Sequence, residues 1–142
     1  MMKNNILTFC LVLIFSTTAL SQQEASNWVF GGYTGLKFKN DTVFPITSNY
    51  NSVKKPACIS NDTGMLLFYF DGNHIYDRRH QKMQNGNQLM TNPSQPVMNS
   101  IIIPLPRQKN LYYLYTLVPT QFIKYHIIDM QLNNGFGKVI SK

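Results

Sequence analysis

Four residues able to bind a metal ion recur at every third position in one stretch of the chain: Asp71, His74, Asp77 and His80. Carboxylates and imidazoles are common metal ligands, and a spacing of three places side chains on one face of a helix. The surrounding residues predict a turn and a strand instead, in which the two histidines share one face and the two aspartates the other. A turn at Asp71-Gly72 and a solvated strand end explain these residues, so we assign no metal ligands.

Cys58 is the next candidate for chemistry. It lies in Ala57–Ser60, an apolar segment typical of a strand, and no histidine is close in sequence. A nucleophilic thiol requires a positioned base or a lowered pKa. We therefore predict Cys58 to be a small buried hydrophobic residue rather than a nucleophile.

The carboxylates do not form a pattern typical of hydrolytic enzymes. The chain has six of them: Glu24, Asp41, Asp62, Asp71, Asp77 and Asp129. Three lie in turn sequences, and no two form a pair beside an apolar pocket, as general acid–base hydrolysis requires. The segment Gly31–Gly35 lacks the Gly-Lys-Ser/Thr ending of a phosphate-binding loop and is predicted to be a turn. We assign no catalytic or cofactor-binding residues, and we expect the protein not to be an enzyme.

Composition predicts a single all-β domain. The chain has 142 residues, of which 44% are hydrophobic and 13% charged. The apolar fraction argues against intrinsic disorder, and the scarcity of charge argues against a coiled coil. The 15 Asn, 8 Gly and 7 Pro favour turns, and the 9 Phe and 8 Tyr favour short strands.

The N-terminal residues predict a cleaved secretory signal. Lys3 precedes the apolar run Ile6–Leu20, and Ala19-Leu20-Ser21 supplies small residues for cleavage between Ser21 and Gln22. A membrane anchor is the alternative, but the run is shorter than the roughly 20 residues that span a bilayer. We expect a secreted or cell-surface protein without a transmembrane span.

The net charge of +7 comes from short basic clusters that lie between apolar runs. They are Lys54-Lys55, Arg78–Lys82 and Arg107–Lys109. No nucleic-acid-binding module accompanies them, so we predict no nucleic-acid partner. A solubilising surface attracted to anionic polysaccharide or lipid is favoured instead.

Two groups of short strands follow each other at an interval typical of propeller blades. In the first group, Met65–Phe70 lies between turn sequences and pairs with His74–Asp77, after the strand Ala57–Ser60 and before the polar strand Gln81–Met83. The second group comprises Ser100–Ile103, Leu111–Leu117, Lys124–Asp129 and Lys138–Ile140. Corresponding strands are about 45 residues apart, which is the spacing of blades.

The strands that are apolar at every position predict cover on both faces. Leu66–Phe70 and Ile101–Ile103 show no polar alternation, unlike strands of a sheet with one wet face. We therefore predict four-stranded antiparallel blades, the first two of an incomplete β-propeller. The predicted divisions are a signal peptide over 1–21, an N-terminal segment with short strands over 22–56, and blades over 57–97 and 98–142.

An ordered set of motifs resembles the N-terminal region of large exported proteins associated with gliding motility and type IX secretion. The matching segments are Trp28–Phe38, Asp62–Gly72, Met83–Gly86, Pro104–Pro106, Leu111–Tyr113 and Ile128–Gly137. The resemblance implies an N-terminal β-propeller, often followed by PKD-type and C-terminal sorting domains, with no established catalytic residues. Lys37 departs from the acidic or amide residue expected at its position.

Two functional hypotheses follow. The favoured one is a non-enzymatic binding or adhesion scaffold at the cell surface, because exported blades present loops to partners. Its partner would be a cell-surface protein or polysaccharide. The alternative is part of a propeller hydrolase or lactonase-like enzyme whose site lies in blades absent from this chain. Since a propeller must close, we also expect self-association through uncovered blade edges.

Overall fold

A computed structural model describes residues 23–51, 56–89, 97, 99–119 and 123–141. The predicted signal peptide and its cleavage site between Ser21 and Gln22 lie outside these residues. The described chain is all-β, as predicted, with ten strands in three antiparallel sheets and one short 3-10 turn at Asn133–Gly135. Among the described residues, no helix has the length and apolar character needed to cross a membrane.

The first sheet is a three-stranded meander formed by the N-terminal segment. Its strands are β1 (Asn27–Val29), β2 (Thr34–Lys39) and β3 (Thr42–Thr47), paired in sequence order. Gly32 has a φ of +74°, so the turn between β1 and β2 uses a backbone conformation that glycine adopts readily. The turn predicted at Gly31–Gly35 is thus present, although its last residues begin β2.

The second sheet contains the first predicted hairpin. Its strands are β4 (Ala57–Ser60), β5 (Leu66–Phe70) and β6 (Ile75–Asp77), again in sequence order. The fourth strand predicted at Gln81–Met83 is not a strand: Lys82 makes one isolated bridge to Tyr76. Gln84, directly after the predicted strand, forms a parallel bridge with Lys138 of the third sheet.

The third sheet has all four predicted strands. They are β7 (Asn99–Pro104), β8 (Leu111–Leu117), β9 (Lys124–Asp129) and β10 (Lys138–Ser141), and the order is again that of the sequence. Pro104 is the last residue of β7 rather than the first residue after it. Because β7 is an edge strand of this sheet, a residue without a backbone N–H is tolerated there.

The second sheet is packed between the other two. Its Phe68 and Phe70 join a core with Ile102 and Leu114 of the third sheet, and Phe68 contacts the ring of Tyr112. On the opposite face, Tyr69 packs with Val29 and Tyr50. We call the side of each sheet that points towards the next sheet along the chain its following face, and the other side its preceding face.

The first strands of successive sheets lie side by side, since β1 contacts β4 and β4 contacts β7. Hydrogen bonds also link the first sheet to the second. The buried amide of Asn27 donates to Ser60 Oγ at 2.8 Å and to the Gly64 carbonyl at 3.0 Å. The three meanders are therefore arranged in series, with their first strands adjacent.

Cover on both faces is confirmed for one of the two all-apolar strands and is wrong for the other. Leu67, Phe68 and Tyr69 of β5 are buried. In β7, Ile102 is buried, but Ile101 and Ile103 are 57% and 42% exposed. β7 fails the expectation because no described residue covers the following face of the third sheet.

Candidate functional site

Asp71 and His74 form a compact turn between β5 and β6. The carboxylate of Asp71 accepts hydrogen bonds from the backbone N–H groups of Asn73 at 2.7 Å and His74 at 2.6 Å. Its second oxygen lies 3.2 Å from Nδ1 of His74. These bonds confirm the turn that the sequence predicts at Asp71-Gly72, and they occupy both oxygens of the carboxylate.

The side chains of Asp77 and His80 have different hydrogen-bond partners. Asp77 is 1% exposed and accepts from Arg79 Nε at 3.0 Å and Nη2 at 2.6 Å, and from the Arg79 backbone N–H. His80 has a φ of +63° and its Nδ1 lies 3.2 Å from the hydroxyl of Tyr69. Of the four residues spaced by three, only Asp71 and His74 contact each other through their side chains, while those of Asp77 and His80 have different partners. The shared strand faces expected for them do not exist, because β6 ends at Asp77.

No set of three or more His, Cys, Asp or Glu side chains in the described part of the chain is arranged to hold a metal ion. The other carboxylates that the structure places are also in turns or at strand ends. Asp41 is at the tip of the β2–β3 hairpin with a φ of +58°, and Asp129 accepts from the backbone N–H of Gln131 at 2.8 Å. The carboxylate of Asp129 thus stabilises the turn that follows β9.

Two stacked tyrosines lie beside the Asp71 turn. The rings of Tyr69 and Tyr76 are 5.2 Å apart and nearly parallel. Burial, followed by the nearby negative charge of Asp71, raises the pKa of Tyr76 to about 12. Burial also raises the pKa of Tyr69. Both phenols therefore stay protonated near neutrality, where they act by packing and hydrogen bonding.

Cys58 lies in β4 against the smaller core, as a partly buried residue. Its Sγ donates to the carbonyl of Asn27 at 2.9 Å. Burial raises the pKa of the thiol, which disfavours the reactive thiolate. This environment agrees with the predicted packing role.

The third sheet presents an aromatic platform on its following face. Three tyrosine rings contact one another there, with centroids 5.4 to 6.2 Å apart: Tyr113, Tyr115 and Tyr125. Ile101 pairs with Tyr115, and Ile103 with Tyr113, so the platform continues onto β7. Alternation along β8 could have indicated this surface, because Tyr113 and Tyr115 must share a face.

The first sheet presents a second aromatic surface on its preceding face. Trp28 is 49% exposed and contacts Phe38 at 5.1 Å and Phe30 at 6.4 Å between ring centroids. Leu36, the partner of Trp28 in β2, lies on the same face. The two aromatic surfaces are therefore at opposite ends of the series of three sheets.

A polar groove of about 590 Å³ lies between the tip of the β2–β3 hairpin and the turn before β5. Lys37 and Lys39 are the cationic residues of its lining. Phe38, between them, also borders the groove, but its ring packs against Trp28 on the preceding face of the sheet. The remaining lining residues are Gln23, Ser26, Asn40, Asp41, Thr42, Val43, Thr63, Gly64 and Met65. This groove was not predicted, although the alternating lysines of β2 place two positive charges on one face.

Two arginines join the second sheet to the third at the outer rim. Arg79 lies over the ring of Phe136 at 3.4 Å, and Arg78 lies over the same ring at 4.6 Å. Arg78 Nη1 also donates to the carbonyl of Gly135 at 2.7 Å. This part of the Arg78–Lys82 cluster, predicted as a solubilising surface, also holds two sheets together. The Lys54-Lys55 cluster lies outside the described residues.

Comparisons with known proteins find no matching family model, no matching curated protein and no matching solved structure.

Proposed function

We propose that the chain is part of an exported β-propeller that serves as a non-enzymatic binding scaffold for acidic polysaccharide at the cell surface. Three features support the propeller arrangement: every sheet is a meander in sequence order, the sheets follow one another in series, and their first strands are adjacent. Propeller blades have this order, with first strands nearest the axis. The N-terminal strands then form a blade of their own, before the two that the sequence predicts.

The observation that carries the binding proposal is the groove lined by Lys37 and Lys39. Carboxylate or sulfate groups of a polysaccharide would pair with the two ammonium groups, and Asp41 at the hairpin tip is the one carboxylate among the lining residues. Asn40 and Gln23, which also line the groove, offer amide groups for sugar hydroxyls. The net charge, +7 for the full chain and +6 once Lys3 is removed with the signal peptide, would draw an anionic polymer towards this surface.

A non-enzymatic role is supported by the bonds of the residues that could do chemistry. Asp71 and Asp77 hold turns, Tyr69 and Tyr76 have raised pKa values, and the Cys58 thiol is disfavoured from ionising. A binding surface needs none of these groups to change protonation or form covalent bonds. The proposal therefore uses the exposed loops of the fold and leaves these residues in structural roles.

The binding experiment titrates the full chain with polygalacturonate and, as a neutral control, with dextran. We expect binding to polygalacturonate only, weakening as added salt shortens the range of the attraction from ~8 Å towards ~3 Å. The variant Lys37→Gln/Lys39→Gln should lose most of the binding. The variant Arg107→Gln/Lys109→Gln removes the same charge from the turn before β8 and should retain it.

Equal losses in the two variants would show that net charge, and not the groove, binds the polymer. Shortening of the bound polysaccharide would favour the hydrolase alternative, and failure to bind any acidic polysaccharide would leave a surface protein as the partner to seek. Export is tested separately by mass spectrometry. Released protein should begin at Gln22, and released protein that retains Met1 would refute cleavage after Ser21.

A further inference from the structure

The contact between successive sheets occurs twice inside the chain, and each of the two aromatic surfaces at the ends of the series resembles one side of that contact. In each internal joint, the following face of one sheet packs on the preceding face of the next. The third sheet has a following face without a cover among the described residues, and the first sheet has a preceding face in the same state. One surface of each kind therefore remains.

The uncovered following face corresponds residue by residue to a covered one. In the second sheet, Phe68 pairs with Ile59 of the first strand. In the third, Tyr113 pairs with Ile103 in the same way. Phe68 is 0% exposed because the third sheet covers it, whereas Tyr113 is only partly buried. What covers Phe68 is the preceding face of a sheet, so a preceding face is the surface that fits Tyr113.

We propose that a second copy of this chain supplies that preceding face. The Trp28 surface of each copy packs on the Tyr113–Tyr115 surface of its partner, and the two contacts close a ring of six sheets. This proposal rests on the propeller arrangement proposed above and does not depend on any polysaccharide. Propellers close with four to eight blades, and two copies of this chain together supply six sheets. A head-to-tail contact that closes after two copies gives a finite dimer.

The chemistry of the two surfaces suits a buried contact. Alternation places only uncharged residues of β1–β3 on the preceding face: Trp28, Thr34, Leu36, Phe38, Val43, Pro45 and Thr47. Phe30, directly after β1, packs beside Trp28. The centre of the opposing surface is also uncharged, with Ile101, Ile103 and three tyrosines. Aromatic residues without charge are typical of the buried centre of a protein interface.

The experiment measures the mass of the full chain by sedimentation velocity over a range of concentrations. We expect a species of two chains. Trp28→Lys and Ile101→Glu place a charge on one surface each, and each variant alone should raise the dissociation constant about 100-fold or more. Leu132→Glu is the matched control, because Leu132 is 38% exposed in the turn before the 3-10 segment. It should remain a dimer.

Mixing the two charged variants distinguishes a head-to-tail contact from a symmetric one. In a head-to-tail pair, one of the two joints is then native and the other sets lysine near glutamate, so the two-chain mass should return. A dimer through one surface alone would be broken by one variant and unaffected by the other, which would overturn the proposal. A monomeric wild-type chain would overturn it too, while leaving polysaccharide binding to the groove intact. If thermal unfolding shows either variant to be misfolded, Phe30→Lys and Tyr125→Glu test the same two surfaces.

Discussion

The second and third sheets place aromatic rings at corresponding positions and treat them differently. Phe68 and Phe70 in β5 correspond to Tyr113 and Tyr115 in β8, about 45 residues later. The phenylalanines are buried between sheets, while the tyrosines remain partly exposed. Tyrosine can keep its hydroxyl in water or at an interface, whereas phenylalanine at such a site would only expose apolar surface. The difference shows that the neighbouring sheets, rather than the strand itself, decide which side chains of a strand are buried.

The largest effect should come from truncating the two positions in parallel. Phe68→Ala removes a fully buried ring and should lower the free energy of unfolding by about 3–5 kcal/mol. Tyr113→Ala removes a partly exposed ring, so its cost in dilute protein should be less than about half as large. Urea denaturation measures both. Equal losses in the free energy of unfolding for the two variants in dilute protein would show that Phe68 and Tyr113 are equally buried. A loss for Tyr113→Ala that grows with protein concentration would show that a second molecule covers Tyr113.

The next effect concerns the buried carboxylate of Asp77. Asp77→Ala should lower the free energy of unfolding by about 2–3 kcal/mol, because charge-assisted hydrogen bonds to Arg79 are lost and backbone donors lose their acceptor. Asp77→Asn keeps an acceptor oxygen for the backbone N–H groups and should cost less. Urea denaturation of the pair would refute the account if the alanine variant were as stable as the wild type.

The third effect is a loss of stability in alkaline solution. Since the folded protein raises the pKa of Tyr76 from 10.0 to about 12, the unfolded chain releases this proton first. The stabilisation is complete below pH 10.0 and is lost as the pH rises towards 12. Tyr76→Phe should flatten this part of the profile of melting temperature against pH. Tyr33→Phe, at an exposed turn, is the control and should leave the profile unchanged.

The smallest effect is on the reactivity of Cys58. Because burial raises its pKa, the folded protein should react with iodoacetamide more slowly than a free thiol at the same pH. Denaturant should restore the ordinary rate. Thiol titration during alkylation measures both rates, and a folded-state rate above that of the free thiol would show an activated cysteine.

Sequence patterns predicted the second and third sheets well and the first sheet poorly. β4, β8 and β9 have the predicted bounds, since apolar runs between Asn, Gly and Asp turns mark them clearly. β2 and β3 carry lysines, a glycine and Pro45, which weaken the alternation of a strand. Lys82 makes a single bridge to the nearby Tyr76, whereas Gln84 bridges to Lys138, which is distant in sequence. Local pattern therefore could not show that this segment does not continue as a strand.

The candidate surfaces were harder to predict than the turns. The turn at Asp71-Gly72 can be predicted from neighbouring residues alone, because the Asp71 carboxylate accepts hydrogen bonds from the backbone N–H groups of Asn73 and His74. The groove at Lys37 requires knowing that the β2–β3 hairpin lies near Thr63. The exposure of Ile101 and Ile103 depends on which face of the third sheet another sheet covers, and an apolar run in a strand does not reveal this.

The most direct test of the serial arrangement is a crystal structure of the full chain, with its mass in solution measured beforehand. We expect three meander sheets with β1, β4 and β7 adjacent and Phe68 buried between the second and third sheets. Trp28 of a second copy should lie against Tyr113 and Tyr115. A chain in which the second sheet is not packed between the first and third, or in which Phe68 and Tyr113 are equally exposed, would contradict it.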